Sequence, residues 1–164
     1  MRHPALPRLW HPRGMDRYVS DRIPVPETVG GESFTRADLV FYGVDHSGPS
    51  YEARVFLNNS DATLYTPRDS GAGFAGSFSV FGHGACYGEE GHCDPSRMTR
   101  DDFDLRPPHP LTPLTKTVII TDALRQVVDD EVVVTVVAAE HGGHKAESTD
   151  ALIFDRVELF TYED

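Results

Sequence analysis

From Phe34 onward the chain is written as short runs of β-branched and aromatic residues, each stopped by a turn signal, and this texture limits the fold more than any other feature. Residues 36–44 hold Leu39, Val40, Phe41 and Tyr42 and stop at Gly43 and an Asp45-His46-Ser47-Gly48-Pro49 turn. In 51–57, Tyr51, Ala53, Val55 and Leu57 alternate with Glu52 and Arg54, the period of a half-buried strand, before Asn58 and Asn59. Residues 74–81 place Phe74, Gly76, Phe78 and Val80 on one face and Ser77 and Ser79 on the other. Residues 115–121 contain Val118-Ile119-Ile120, 131–139 are rich in valine, and 151–162 set Ile153, Val157 and Leu159 against Arg156 and Glu158. Six such runs with long connections predict an all-β fold, an antiparallel β-sandwich of Ig-like or jelly-roll-like kind. The phase of each run puts Val55, Leu57, Phe78, Val80, Ile119, Val134, Val136 and Val157 in the core. One short helix is expected over 121–128, with Thr121 as N-cap and Asp122 in its first turn, crossing from one sheet to the other.

Residues 1–33 read differently. Pro4, Pro7, Pro12, Pro24 and Pro26 punctuate them, and no apolar period for helix or strand emerges. Each proline removes a backbone donor and holds its predecessor extended, so the segment reads as an extended N-terminal arm preceding one domain over 34–164. Either the arm is a disordered tail, or Trp10, Tyr18, Ile23 and Val25 pin it across the domain.

The whole chain of 164 residues has the size of one domain, enough to bury roughly 70% of the unfolded surface without staples. Fifteen Lys and Arg against 26 Asp and Glu give a net charge of −11, which repels a phosphate backbone and argues against nucleic acid as a partner. No apolar run approaches the ~20 residues of a membrane helix, and no apolar segment follows the basic start, so the reading is a cytoplasmic, non-membrane protein.

The connection over 82–114 is longer than the ~12–15 residues of ordinary structureless loops, and loops of that length are usually functional or disordered. It carries the sharpest cluster in the chain: His83, Cys86, His92 and Cys93 fall within eleven positions. Imidazole and thiolate are the donors that zinc and copper prefer, and the spacing from His83 to Cys86 suits one turn, whereas the adjacent His92 and Cys93 suit it poorly. Three states fit these residues: a copper or zinc site, a Cys86–Cys93 disulfide, or two reduced thiols.

Other constellations read as structural. Ser47, Ser77 and Ser79 lack a nucleophile elbow. The adjacent pairs Asp45-His46 and Glu140-His141 would point to opposite faces of a strand, and His141 to His144 look like a hairpin tip. The acidic runs at 101–104, 129–131 and 162–164 do not follow a calcium loop, and no phosphate-binding or zinc-protease motif occurs. No catalytic or cofactor-binding residue is assigned.

Three segments carry a resemblance. Residues 51–59 (Tyr-Glu-Ala-Arg-Val-Phe-Leu-Asn-Asn) resemble the first strand of the C-terminal β-sandwich of tyrosinase and polyphenol oxidase proteins. Residues 74–84, with Ala75-Gly76-Ser77-Phe78 followed by His83, are similar to a later strand of that domain, and the order from Thr121 through 132–137 to 153–160 repeats there too. The resemblance covers about 35–162, and the Ala85 to Arg106 insertion fits the bacterial tyrosinase-like subset. In that family six histidines on a separate helical domain hold a pair of copper ions, and the sandwich lies over their entrance. None of those histidines maps onto this chain. The resemblance implies a non-catalytic sandwich whose partner is a helical type 3 copper oxidase domain on another chain, docked through the strand and loop around Phe78 to Cys93. A homo-oligomer is a further expectation. The alternative is a small copper- or zinc-binding protein or copper-dependent oxidoreductase that uses His83, Cys86, His92 and Cys93.

Overall fold

The computed structural model describes residues 17–26, 34–83, 103, 111–140 and 151–163. Among them seven antiparallel strands form two sheets, as expected for an all-β sandwich. They are β1 (Arg17–Pro24), β2 (Arg36–Val44), β3 (Tyr51–Leu57), β4 (Phe74–Val80), β5 (Leu114–Ile119), β6 (Glu131–Glu140) and β7 (Arg156–Tyr162). One sheet has the order β1-β6-β3-β4 and the other β5-β2-β7.

The period-two pattern explains the core. Tyr51, Ala53, Val55 and Leu57 of β3, Val132, Val134, Val136 and Ala138 of β6, and Ala37, Leu39 and Phe41 of β2 are all buried between the sheets. Seven of the eight residues expected in the core are there: Val55, Leu57, Phe78, Val80, Val134, Val136 and Val157. The eighth, Ile119, is 59% exposed, while Val118 and Ile120 are buried. Three consecutive aliphatic residues carry no phase of their own. Register supplies it, because Val118 lies opposite the inward Leu39 and Ile119 opposite the outward Asp38.

Three further boundaries differ from the sequence reading. Residues 17–24, inside the segment read as an arm without strand period, form β1 and pair with the valine-rich first seven residues of β6, from Arg17 opposite Val137 to Pro24 opposite Glu131. Burial of Tyr18 and the neighbouring Asp21 carboxylate push its phenol up to about 12, and the ring packs edge-on to Phe154 at 4.9 Å. The helix is one turn, α1 (Thr121–Leu124), instead of two; its N-cap is Ile120, and Thr121 instead accepts a hydrogen bond from the Ala37 N–H at 3.0 Å. The last run does not start its strand until Arg156; before it Ala151, Leu152 and Phe154 enter the core and Ile153 is exposed, the reverse of the expected phase.

Part of the outer face of the four-stranded sheet is covered by the β3–β4 connection. Phe56, Ala62 and Val137 are buried together there, with Phe74 packed against them. Glu52 clips that connection down: Arg68 donates to its Oε1 at 2.9 Å and Arg54 Nε to its Oε2 at 3.3 Å. Burial opposes ionisation of Glu52, but hydrogen bonds from Arg68, Ser77 and Arg54 outweigh it and hold the carboxyl below its ordinary range. A carboxyl whose folded value is depressed stabilises the fold above its unfolded value and loses that contribution as pH falls through the folded one. Glu52→Gln is therefore expected to cost about 1 kcal/mol at neutral pH, allowing for solvent screening at Arg68, and to flatten the acid side of the stability–pH curve. Denaturant unfolding at several pH values measures both; an acid limb identical to that of the parent chain refutes the clip.

Candidate functional site

The two roots of the long connection meet at one end of the sandwich, on the loop between β2 and β3. That loop is shaped by its own residues. The Asp45 carboxylate accepts from the Ser47 N–H at 2.8 Å and the Ser47 hydroxyl at 2.9 Å, closing a turn. The Asp45 N–H donates to the Ile153 carbonyl at 2.9 Å, tying the turn to the approach to β7.

His46 holds both roots. Its carbonyl accepts from the His83 N–H at 2.8 Å, and its Nε2 lies 3.0 Å from the Thr112 carbonyl. A carbonyl only accepts, so Nε2 carries the proton in this contact. The His46 and His83 rings stand edge to face with centroids 5.0 Å apart. Gly82 sits beside them with its N–H donating to the Ser50 hydroxyl at 2.9 Å. A Cβ on Gly82 would fall 2.2 Å from the Pro49 carbonyl carbon, so only glycine lets β4 leave the sheet this close to the Gly48-Pro49 backbone. Tyr51 lies buried beneath; burial, and secondarily the Asp45 charge, push its phenol well above the ordinary range, so it stays protonated.

Of the four candidate metal ligands, the structure places His83 at this corner; Cys86, His92 and Cys93 lie outside the described residues. Among the described residues no group of three His, Cys, Asp or Glu side chains is placed to hold a metal. The adjacent Asp45 and His46 engage different partners, Ser47 and Thr112, and do not form a carboxylate–imidazole couple. Of the other sequence pairs, Glu140 ends β6, and His141 and His144 lie outside the described residues.

Sequence reasoning missed two residues here. His46 reads as one more loop histidine; only the fold shows that it joins residues 83 and 112. Phe81 follows Ser77 and Ser79 in the outward phase of β4 and is 81% exposed, an apolar ring presented beside His83 at 6.1 Å. The outward phase was legible in the run itself.

No protein-family model matches the chain, and no curated protein matches it. Solved structures do. The chain is similar to a latent aurone synthase (polyphenol oxidase) from natural source, with a TM-score of 0.51 at 15% identity over 94% of this chain and 25% of that one. The fold is one that a polyphenol oxidase chain contains. The recombinantly expressed latent aurone synthase aligns with a TM-score of 0.53, and the same protein co-crystallized with hexatungstotellurate(VI) with 0.52, each at 15% identity, over 94% of this chain and 26% of theirs. At that identity the likeness is one of fold, and the chain spans about a quarter of the length of those polyphenol oxidase chains. Among the described residues no helix is long and apolar enough to cross a membrane.

Proposed function

We propose that the chain is a non-catalytic β-sandwich module, akin to the C-terminal domain of tyrosinase-like copper oxidases, that docks on a helical type 3 copper oxidase domain of another chain and shields it. The observation that carries this reading is the lopsided match: nearly all of this fold corresponds to a quarter of a latent polyphenol oxidase. The docking element is the end of β4 and the start of the long loop. There Phe81 offers an exposed apolar ring on backbone already fixed by Gly82 and His83, and an anchor that is ordered before binding loses little entropy on docking. The module works away from nucleic acid and membrane, in the cytoplasm.

A second reading, a small copper- or zinc-binding protein built on His83, Cys86, His92 and Cys93, is favoured by one observation. The His46 ring stands 5.0 Å from that of His83, so a second imidazole lies beside the first candidate ligand.

One experiment separates the two. The chain is purified without added metal, analysed for metal, and assayed for catechol oxidation with and without added copper. The docking reading expects no stoichiometric metal and no oxidation by the chain alone. It also expects slower oxidation by a helical type 3 copper oxidase domain when the chain is added, relieved at least tenfold in concentration by Phe81→Ala, the size of a ~1.4 kcal/mol anchor. Chelator-sensitive oxidation by the pure chain, with metal lost in Cys86→Ser, overturns it in favour of the second.

A further inference from the structure

The sheet edges of the sandwich are not equally protected. The edges of β4 and β5 pack beside each other, so that a Cβ on Gly76 would meet Val118. β1, the outer strand of the four-stranded sheet, is broken by a register shift between Val19 and Arg22 and ends at Pro24, features that blunt an edge against further pairing. β7 has no such device. It contains neither proline nor glycine, it keeps unbroken register with β2 from Tyr162 opposite Arg36 to Arg156 opposite Tyr42, and its second edge has no partner strand among the described residues. In an antiparallel strand alternate residues direct both backbone groups away from the paired neighbour, so β7 offers a row of donors and acceptors outward.

We propose that β7 pairs antiparallel with β7 of a second copy about a two-fold axis at Leu159, joining two three-stranded sheets into one of six. The strand is complementary to itself in that register. Arg156 and Tyr162 stand equally far from Leu159, so each Arg156 falls opposite the partner's Tyr162 at both ends of the pair. That is the cross-strand pair this face already uses twice: the Arg156 guanidinium lies over the Tyr42 ring at 4.0 Å and the Arg36 guanidinium over the Tyr162 ring at 5.8 Å. Nearer the axis Glu158 falls opposite the partner's Phe160, and on the core side Leu159 meets its own copy. Pairing about a two-fold uses the same edge on both chains and closes, leaving no growing end.

Two opposing terms set its strength. One strand pair buries less than the ~1,200 Å² of specific stable complexes, and the −11 charge on each chain is repulsive. The dimer is therefore weak, forms with rising concentration, and is strengthened by salt that screens the repulsion.

Sedimentation of the full chain across concentration and salt tests this. The expected result is a monomer–dimer equilibrium shifted toward dimer by salt. Glu158→Lys with Phe160→Lys sets like charges opposite each other across the axis and should weaken association at least tenfold, whereas Glu158→Lys with Phe160→Glu sets opposite charges there and should retain it. Circular dichroism checks that both variants fold. Hydrogen exchange on the parent chain needs no variant: alternate β7 amides should gain protection as concentration rises. A monomer at every concentration and salt, a dimer indifferent to the two lysines, or unchanged β7 exchange in the dimer overturns the proposal.

Discussion

Phe78→Ala should lower the free energy of unfolding by about 3–5 kcal/mol, the range for truncating a buried aromatic ring. Phe78 belongs to the four-stranded sheet and is buried, and its ring centroid lies 4.9 Å from that of Phe41 in the three-stranded sheet. Phe41, fully buried, stands in turn 5.3 Å from Phe154, edge to face, and Phe154 meets Tyr18 of β1. The four-ring line therefore runs from the four-stranded sheet to the three-stranded one and back to β1, and deleting Phe78 leaves a cavity at its start. Because the backbone of β4 also pairs with β3, local collapse is limited, and the cost should stay near the upper part of the range. Urea unfolding measures it as a fall in midpoint with unchanged slope. A variant as stable as the parent would mean that the phase of β4 is wrong.

The second large effect is expected at Gly76. Its φ of +147° is a conformation that only glycine adopts readily, and a Cβ there would lie 2.6 Å from Val118 Cγ1, where β4 meets β5 at the side of the sandwich. Gly76→Ala combines backbone strain of about 1–3 kcal/mol with overpacking of about 1–3 kcal/mol. The two parts separate in a double-mutant cycle with Val118→Ala. In that background the steric part should vanish and the strain remain, giving a coupling of at least about 0.5 kcal/mol. Strictly additive effects would show that Val118 is not what the new Cβ meets.

Gly76 also explains why β4 was only half legible. Its sequence alternates, yet Phe74 packs outside with Phe56, while Phe78 and Val80 face inward. The pairing with β3 slips between Val55 and Phe56, where Val55 sits opposite Gly76 and Phe56 opposite Phe74. One extra residue at a bulge inverts the side-chain phase beyond it, and periodicity alone carries no sign of where the inversion falls. β1 was missed for a different reason. Arg17, Ser20, Asp21 and Arg22 break any apolar alternation, because an edge strand buries few of its side chains and is held by hydrogen bonds to the Val-rich β6.

The candidate site divides in the same way. The length of the 82–114 connection, its histidines and its cysteines are all visible in the sequence, and so was the choice of that connection as the place for function. The partners at its roots were not, since His46 stands far along the chain from both His83 and Thr112.

By itself the sequence determined the fold class, the positions of most strands and the inward residues of β3 and β6. These follow from the period-two placement of apolar residues, which each strand carries within its own length. Tertiary structure decided the face of Ile119, the strand at 17–24, the single turn of α1, and the meeting of His46 with both roots of the long loop. Each of those depends on a hydrogen bond or a register between segments distant in the chain, and a local pattern holds no information about which distant segment will lie beside it.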